Sequence, residues 1–445
     1  MTAPFSPKKI GLLGPYGYGS LGDAAILEAM IQNIRKQYPD AQIRAIALNP
    51  KDTELWHKIP AYPMTRMPDR DWRRPDQVQL SRNPVRRFAY WLRYHPNQRL
   101  RKLERVLFRL PLELILIKRA FAFLADFDAL LICGGGQLDD YWGGAWGLPY
   151  MILKWSLLAK LRGAQLQFVS VGAGPIDASL SRIFFKCALS LANYRSYRDV
   201  ESKQYMAGIG FKRNDPVYPD LAHSLQMEIK QAAPPTYVTI STNGLAGENQ
   251  PVKPHLIVGV GPMAYFDPRV WPERDSAVYL GYLTKLAEFV KWLIRHECRI
   301  CFFSGDFHFD SLVIEDLINL LDADKSVSTE GKIIKESIYT VETLLQQLAI
   351  TDIVIATRFH GVLLSHFMGK PVVALSYHQK IDTLMKAAGQ SDYNLSIDTF
   401  DVPTLIDRFE ALIANRENAV ALLVKQKQVY MTALEEQYER IFNQA

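Results

Sequence analysis

Residues 9–48 read KIGLLGPYGYGSLGDAAILEAMIQNIRKQYPDAQIRAIAL, and the order of events along them decides the fold. A short apolar run, 9–13, stops at a glycine-rich turn, 14–22. The spacing then predicts an amphipathic helix over 23–37, with Ile26, Leu27, Met30, Ile31 and Ile34 on one face. A second apolar run, 42–48, follows. Strand, glycine turn, helix and strand open a parallel α/β unit.

The same alternation continues outward. Strands are expected at 129–133, 165–172 and 194–197, with helices at 148–162 and 179–192 between them and another starting at 200. Residues 230–254, which hold Pro234, Pro235, Pro251 and Pro254, read as an interdomain linker. The pattern then restarts, with strands at 255–260, 299–304, 352–356 and 371–376 and helices near 279–296, 310–321, 341–349 and 361–369. At 445 residues the chain is too long for one ordinary core. The expectation is an α/β fold of two doubly wound domains facing a cleft. The first covers 1–230 and the second 255–400, while a helical segment, 401–445, packs back on the first.

One stretch breaks the alternation. Residues 50–82 have no apolar period and read as loop, and 84–125 read as basic helix, with Arg86, Arg87, Arg93, Arg99 and Arg101 among interleaved apolar residues. Two readings of this insertion, about 50–125, stand side by side. It is either a solvated basic face over a buried stripe or a peripheral contact with anionic membrane.

Composition bounds the function. Apolar residues make up 48% and charged residues 22%, as in globular proteins. The net charge of +6, from 52 basic and 46 acidic residues, suits small anions or anionic lipid, and no nucleic-acid signature accompanies it. The four cysteines, 133, 187, 298 and 301, form neither a disulfide framework nor a zinc set and are expected in the core. Neither a signal-peptide pattern nor an apolar run long enough to span a bilayer is present. The expected location is cytoplasmic, with the inner face of the membrane as the one surface in question.

In doubly wound sheets ligands bind beyond the carboxyl ends of strands, so the residues there carry the functional reading. The turn with Gly17, Gly19 and Asp23 either admits an anion to backbone N–H groups or only tightens a βα turn. Gly134, Gly135 and Gly136 follow the strand at 129–133 and allow close backbone approach. Asp139 and Asp140 beyond them either hold sugar hydroxyls or cap the next element. Arg358 and His360 share a strand-to-helix turn after 352–356. An arginine fork fits carboxylate or phosphate, and a histidine suits general acid work. Lys380 follows the next strand and is a point charge or a solvated lysine. Arg198 ends the strand at 194–197 and faces the cleft or pairs with Asp199. No metal-ligand set appears.

Taken in order, Tyr16-Gly-Tyr-Gly-Ser-Leu-Gly-Asp23, Gly134-Gly-Gly136, Tyr197-Arg-Asp199, Arg358-Phe-His360, Gly369-Lys-Pro-Val-Val and Ser376-Tyr-x-x-Lys380 resemble the polysaccharide pyruvyl transferase family. The resemblance runs from about residue 9 to 395. It implies a fold similar to the GT-B glycosyltransferases, two Rossmann-like domains around a cleft. The implied reaction moves the pyruvyl group of phosphoenolpyruvate onto two hydroxyls of one sugar as a cyclic ketal, with a cell-surface glycan or its lipid-linked precursor as acceptor. Phosphoenolpyruvate is a co-substrate, and no cofactor is implied. By resemblance, Arg198, Arg358 and Lys380 hold the donor, His360 and Arg358 are catalytic, and the first domain, with Asp23 and Asp139, meets the acceptor. The chain departs from the family pattern at Pro15, Ser20, Ala24, the run 137–147 and the long insertion, all in the acceptor half. The acceptor sugar and the oligomeric state are not legible. Two other readings compete: a GT-B-type glycosyltransferase using a nucleotide sugar, and a non-enzymatic scaffold.

Overall fold

The computed structural model describes residues 9–65, 110–141, 143–226, 256–271, 273–335 and 338–443. The linker expected at 230–254 and the arginines expected on basic helix at 86–101 lie outside them. The chain divides into two units. The first holds Met1–Tyr18, Ile26–Leu221 and Ala433–Ala445, and the second holds Gly19–Ala25 and Ala222–Thr432.

In the first unit six strands, β1 (Lys9–Leu13), β2 (Gln42–Ala47), β3 (Ala61–Pro63), β4 (Ala129–Cys133), β5 (Gln165–Val171) and β6 (Tyr194–Tyr197), form one sheet in the order β3-β2-β1-β4-β5-β6. Every pairing is parallel. The helices are α1 (Leu21–Gln37), which belongs to this unit from Ile26 onward, α2 (Pro50–His57), α3 (Leu110–Phe123), α4 (Leu148–Leu161), α5 (Ser179–Leu191) and α6 (Val200–Gly208). A parallel sheet covered on both faces needs continuous apolar strands. β4, Ala-Leu-Leu-Ile-Cys, is accordingly buried at every residue. Trp155 of α4 and Phe185 of α5 fill the core beside Phe168 of β5.

The second unit repeats the winding. Its strands, β7 (Ile257–Gly261), β8 (Arg299–Phe302), β9 (Ile333–Lys335), β10 (Ile353–Ala356), β11 (Val372–Ser376) and β12 (Asn394–Ser396), run in the order β12-β11-β10-β7-β8-β9, again all parallel. Its helices are α7 (Ser276–Arg295), α8 (Asp310–Ala323), α9 (Val341–Ile350), α10 (Phe359–Phe367), α11 (Gln379–Ala387), α12 (Val402–Ala414) and α13 (Arg416–Asn443). In both sheets the strand order reverses at the centre, between β1 and β4 and between β7 and β10. Chain exits diverge at such a point and leave a crevice for a ligand.

Several expectations need correction. The loop expected from residue 50 contains α2 and β3. Asn49 caps α2 by accepting from the Asp52 N–H, Pro50 stands in its first turn, and Lys58 ends it with φ 54°. Only Thr53 and His57 of that helix are buried, so no apolar stripe announced it. β9 and β12, three-residue edge strands, are too short to carry a pattern. The C-terminal segment is two helices, separated at Asn415, with Asp401 capping the first of them. From Ala433 onward the chain belongs to the first unit. There the Gln437 amide donates to Ser196 Oγ (2.7 Å) and accepts from Ser170 Oγ (3.0 Å), joining α13 to β5 and β6. Cys133, Cys298 and Cys301 are buried as expected, whereas Cys187 on α5 is exposed.

Candidate functional site

The exits of β7 and β10 are tied together by Thr357, whose Oγ1 donates to the Gly261 carbonyl at 2.9 Å. The next residue, Arg358, is extended (φ −88°, ψ 143°) and precedes α10 without capping it through its side chain. Its guanidinium turns instead to Asp310, the first residue of α8. Nε donates to Oδ2 at 2.6 Å and Nη2 to Oδ1 at 2.7 Å. Asp310 has no exposed side-chain surface, while Arg358 keeps 26% of its own. Burial works against the arginine's charge, but Asp310 outweighs it and holds the guanidinium above its ordinary range. Two of five N–H donors are thereby committed, leaving three for a ligand.

Asp310 Oδ2 also accepts from the Asp306 N–H at 2.9 Å, and Asp306 Oδ1 accepts from the N–H groups of His308 (3.0 Å) and Phe309 (3.2 Å). Burial pushes the Asp306 carboxyl up to about 6, against the pull of Arg358 and with the push of Asp310.

His360 is the second residue of α10, and its ring lies on the backbone of Gly22. A Cβ at Gly22 would stand 1.9 Å from His360 Nδ1, so only glycine fits there. The glycine loop is held in that position by Leu21 N–H to Gly305 O (3.0 Å), Phe307 N–H to Gly19 O (3.2 Å) and an antiparallel bridge between Ser20 and Asp306. Asp23 lies in the same turn, its N–H donating to Ser20 Oγ at 3.3 Å.

Lys380 leaves β11, the neighbour of β10. Its N–H is capped by His378 Nδ1 at 3.2 Å, and its Nζ lies 5.6 Å from the Tyr377 ring centroid. Among the described residues Lys380 has no carboxylate partner. Tyr377 is the first residue after β11. Its ring stands edge-on to Trp271, 6.4 Å away, on the loop that follows β7. The second unit thus brings Arg358, His360 and Lys380 to adjacent strand ends, together with Gly19 and Asp23.

The other expected residues belong to the first unit. Gly17, Gly134 and Gly135 take positive φ, and the loop after β4 is strapped to β5 by Gly134 N–H to Val169 O and Gly172 N–H to Gly135 O, both 2.7 Å. Gly136 is exposed, next to Asp139. Asp139 Oδ1 accepts from Tyr141 N–H at 3.3 Å. Asp140 has the capping role, accepting from the N–H groups of Asp177 and Ala178 at 3.0 Å each. Arg198, 7% exposed, pairs with Asp199 (3.2 Å) and Asp220 (3.6 Å). It also covers Gly172, where a Cβ would meet its Nη2 at 2.7 Å. Sequence reasoning missed Asp306, Asp310 and the specific need for Gly22. The signal was present: 305–310, GDFHFD, begins at the carboxyl end of a strand. Among the described residues no three His, Cys, Asp or Glu side chains converge as metal ligands, and no helix is long and apolar enough to cross a membrane.

The fold is shared widely. S. aureus MnaA, in its co-structure with UDP, superposes with a TM-score of 0.54 at 11% identity over 98% of this chain and 96% of its own. A UDP-GlcNAc 2-epimerase from Neisseria meningitidis gives 0.51 at 12% identity over 96% and 100%. A glycosyltransferase from Rickettsia africae gives 0.51 at 12% identity over 99% and 100%. At such identities the likeness establishes the two-domain, Rossmann-like GT-B architecture. No curated protein matches the chain. The family model described as polysaccharide pyruvyl transferase matches residues 21–379.

Proposed function

The chain belongs to the polysaccharide pyruvyl transferase family, and we propose that it transfers the pyruvyl group of phosphoenolpyruvate to two hydroxyls of one sugar, on a cell-surface glycan or its lipid-linked precursor. The observation that carries this reading is the grouping of Arg358, His360 and Lys380 at the ends of β10 and β11 in the second unit. Phosphoenolpyruvate has a carboxylate and a phosphate, and needs cations at two places. Lys380, without a carboxylate partner among the described residues, is a point charge for one. The uncommitted N–H groups of Arg358 and the N-terminus of α10 favour negative charge at the other. No further cofactor enters the proposal.

The chemistry follows from the donor. A proton goes to the methylene carbon of the enol phosphate, and the first sugar hydroxyl adds to the neighbouring carbon and loses its own proton. The C–O bond to phosphate then breaks, phosphate leaves with the electron pair, and the second hydroxyl closes the ketal and releases the second proton. His360 is the assigned donor of the first proton. Gly22 fixes its ring, and Asp310 fixes the adjacent arginine, so both groups are set before the donor arrives. The assignment rests on the second unit alone. Arg198 already has two carboxylate partners in the first.

Nucleotide-sugar transfer, the competing reading, has the shared fold in its favour and no residue-level observation. The experiment is incubation of the full chain with phosphoenolpyruvate and an extracted pool of lipid-linked saccharides. Phosphate release together with the mass gain of one pyruvyl ketal supports the proposal. Turnover of nucleotide sugars, with phosphoenolpyruvate untouched, overturns it.

A further inference from the structure

The first unit carries a feature that the donor site does not use. α3, α4 and α5 lie side by side on one face of its sheet, with Tyr150 and Lys154 of α4 reaching Glu113 of α3. The solvent side of such a layer is ordinarily polar. Here it is apolar. On α3 the exposed positions recur as 111, 114, 115, 118, 119 and 122, which is one helical face, and they read Pro, Leu, Ile, Lys, Arg, Ala. Leu114 is 61% exposed, Leu161 at the end of α4 is 72% exposed, and Ile183 of α5 is 51% exposed. Trp146, just before α4, is 70% exposed and packs beside Tyr150 and Phe184 at centroid distances of 5.5 and 5.7 Å.

The charges on the same layer are positive with one exception. α3 carries Lys118 and Arg119, α4 carries Lys160 besides Lys154, and α5 carries Arg182 and Lys186. The single acid of the three helices, Glu113, is neutralised by Lys154 at 2.8 Å. Apolar side chains, an exposed tryptophan at the rim and cations that, beyond Lys154, have no carboxylate partner among the described residues are the three elements of an interfacial membrane surface.

We infer that the outer face of α3, α4 and α5 docks on an anionic phospholipid bilayer. The apolar residues enter the boundary between head groups and acyl chains, Trp146 sits at head-group level, and Lys118 and Arg119 meet lipid phosphates. The surface is distinct from the donor site, and its test is independent of catalysis.

The test is sedimentation of the full chain with vesicles of phosphatidylcholine alone or mixed with phosphatidylglycerol. Parent protein is expected to sediment with the mixed vesicles and not with the neutral ones, and added salt should release it. Lys118→Gln with Arg119→Gln removes two cations and should lower the partition coefficient roughly thirtyfold. Leu114→Ser with Leu161→Ser should lower it at least about tenfold, through lost apolar burial. All four positions are exposed, and unchanged urea midpoints verify that the variants are folded. Equal partitioning of parent and variants overturns the inference, as does equal sedimentation with both vesicle types. Dimerisation of the parent that the leucine variants abolish, without vesicle binding, also overturns it by assigning the face to a second copy of the chain.

Discussion

Replacing Arg358 with alanine tests how the site is held as well as what it binds. The substitution removes both short bonds from Asp310, whose carboxylate is fully buried, and leaves it one N–H, from Asp306. An exposed ion pair contributes about 0.2–1 kcal/mol. A buried pair that loses one partner costs about 3–5 kcal/mol, because the stranded charge keeps its desolvation penalty. Arg358 retains 26% of its surface, so the expected loss lies at the lower end, about 3 kcal/mol. Arg358→Met combined with Asp310→Leu removes both charges and should recover most of that loss, less about 1 kcal/mol for the Asp306 N–H left without its acceptor. Urea unfolding of the parent, Arg358→Met, Asp310→Leu and the double variant, with Arg358→Ala alongside, followed by circular dichroism and by tryptophan fluorescence, measures the coupling. The reasoning is refuted if Arg358→Ala costs under about 1 kcal/mol, or if the double variant is no more stable than the single one. A practical consequence follows: ligand binding by Arg358→Ala alone confounds donor recognition with folding.

Asp306 gives a pH signature. Its carboxyl is raised to about 6 in the folded chain, so the folded state holds more protons than the unfolded one between the ordinary carboxylate range and that value. Stability from this group is therefore present in acid and lost as pH rises through about 6. Asp306→Asn should be more stable than the parent above about pH 7, by up to roughly 3 kcal/mol, and should show no advantage near pH 4; melting temperatures across pH would read this. Gly22→Ala forces the His360 ring aside and should abolish turnover while costing about 1–3 kcal/mol of stability. Activity retained at the parental level would contradict the contact. His360→Gln should lower kcat by about 10²–10⁴ and leave the dissociation constant of phosphoenolpyruvate nearly unchanged, a split visible in steady-state kinetics beside calorimetry.

The sheets were legible because parallel strands buried on both faces must be apolar throughout. The runs around Ile10, Leu131, Val258 and Val373 have few other uses. The strand-end rule then pointed to Arg358, His360 and Lys380, and the structure groups them on adjacent loops. What was not legible has physical reasons. α2 buries two residues and so has no stripe, although Asn49 and Pro50 marked its start. β9 and β12 are edge strands of three residues. Asp310 is found only by asking where a buried guanidinium must place its charge, a question that needs the fold. Gly22 looked like one glycine among several until the ring of His360, far away in sequence, was seen to rest on it. Arg198 was readable in two ways, and its pairing with Asp199 is the one observed, with Asp220 as a second partner that sequence spacing could not supply.

The most direct test of the central claim is a calorimetric titration of phosphoenolpyruvate into the parent chain and into Lys380→Ala, a variant that leaves the Arg358–Asp310 pair intact. Binding by the parent, weakened about tenfold or more in the variant as expected for loss of one charge-assisted contact to an anion, is the predicted result. Equal binding by both, or a parent that binds a nucleotide sugar and not phosphoenolpyruvate, would contradict the account.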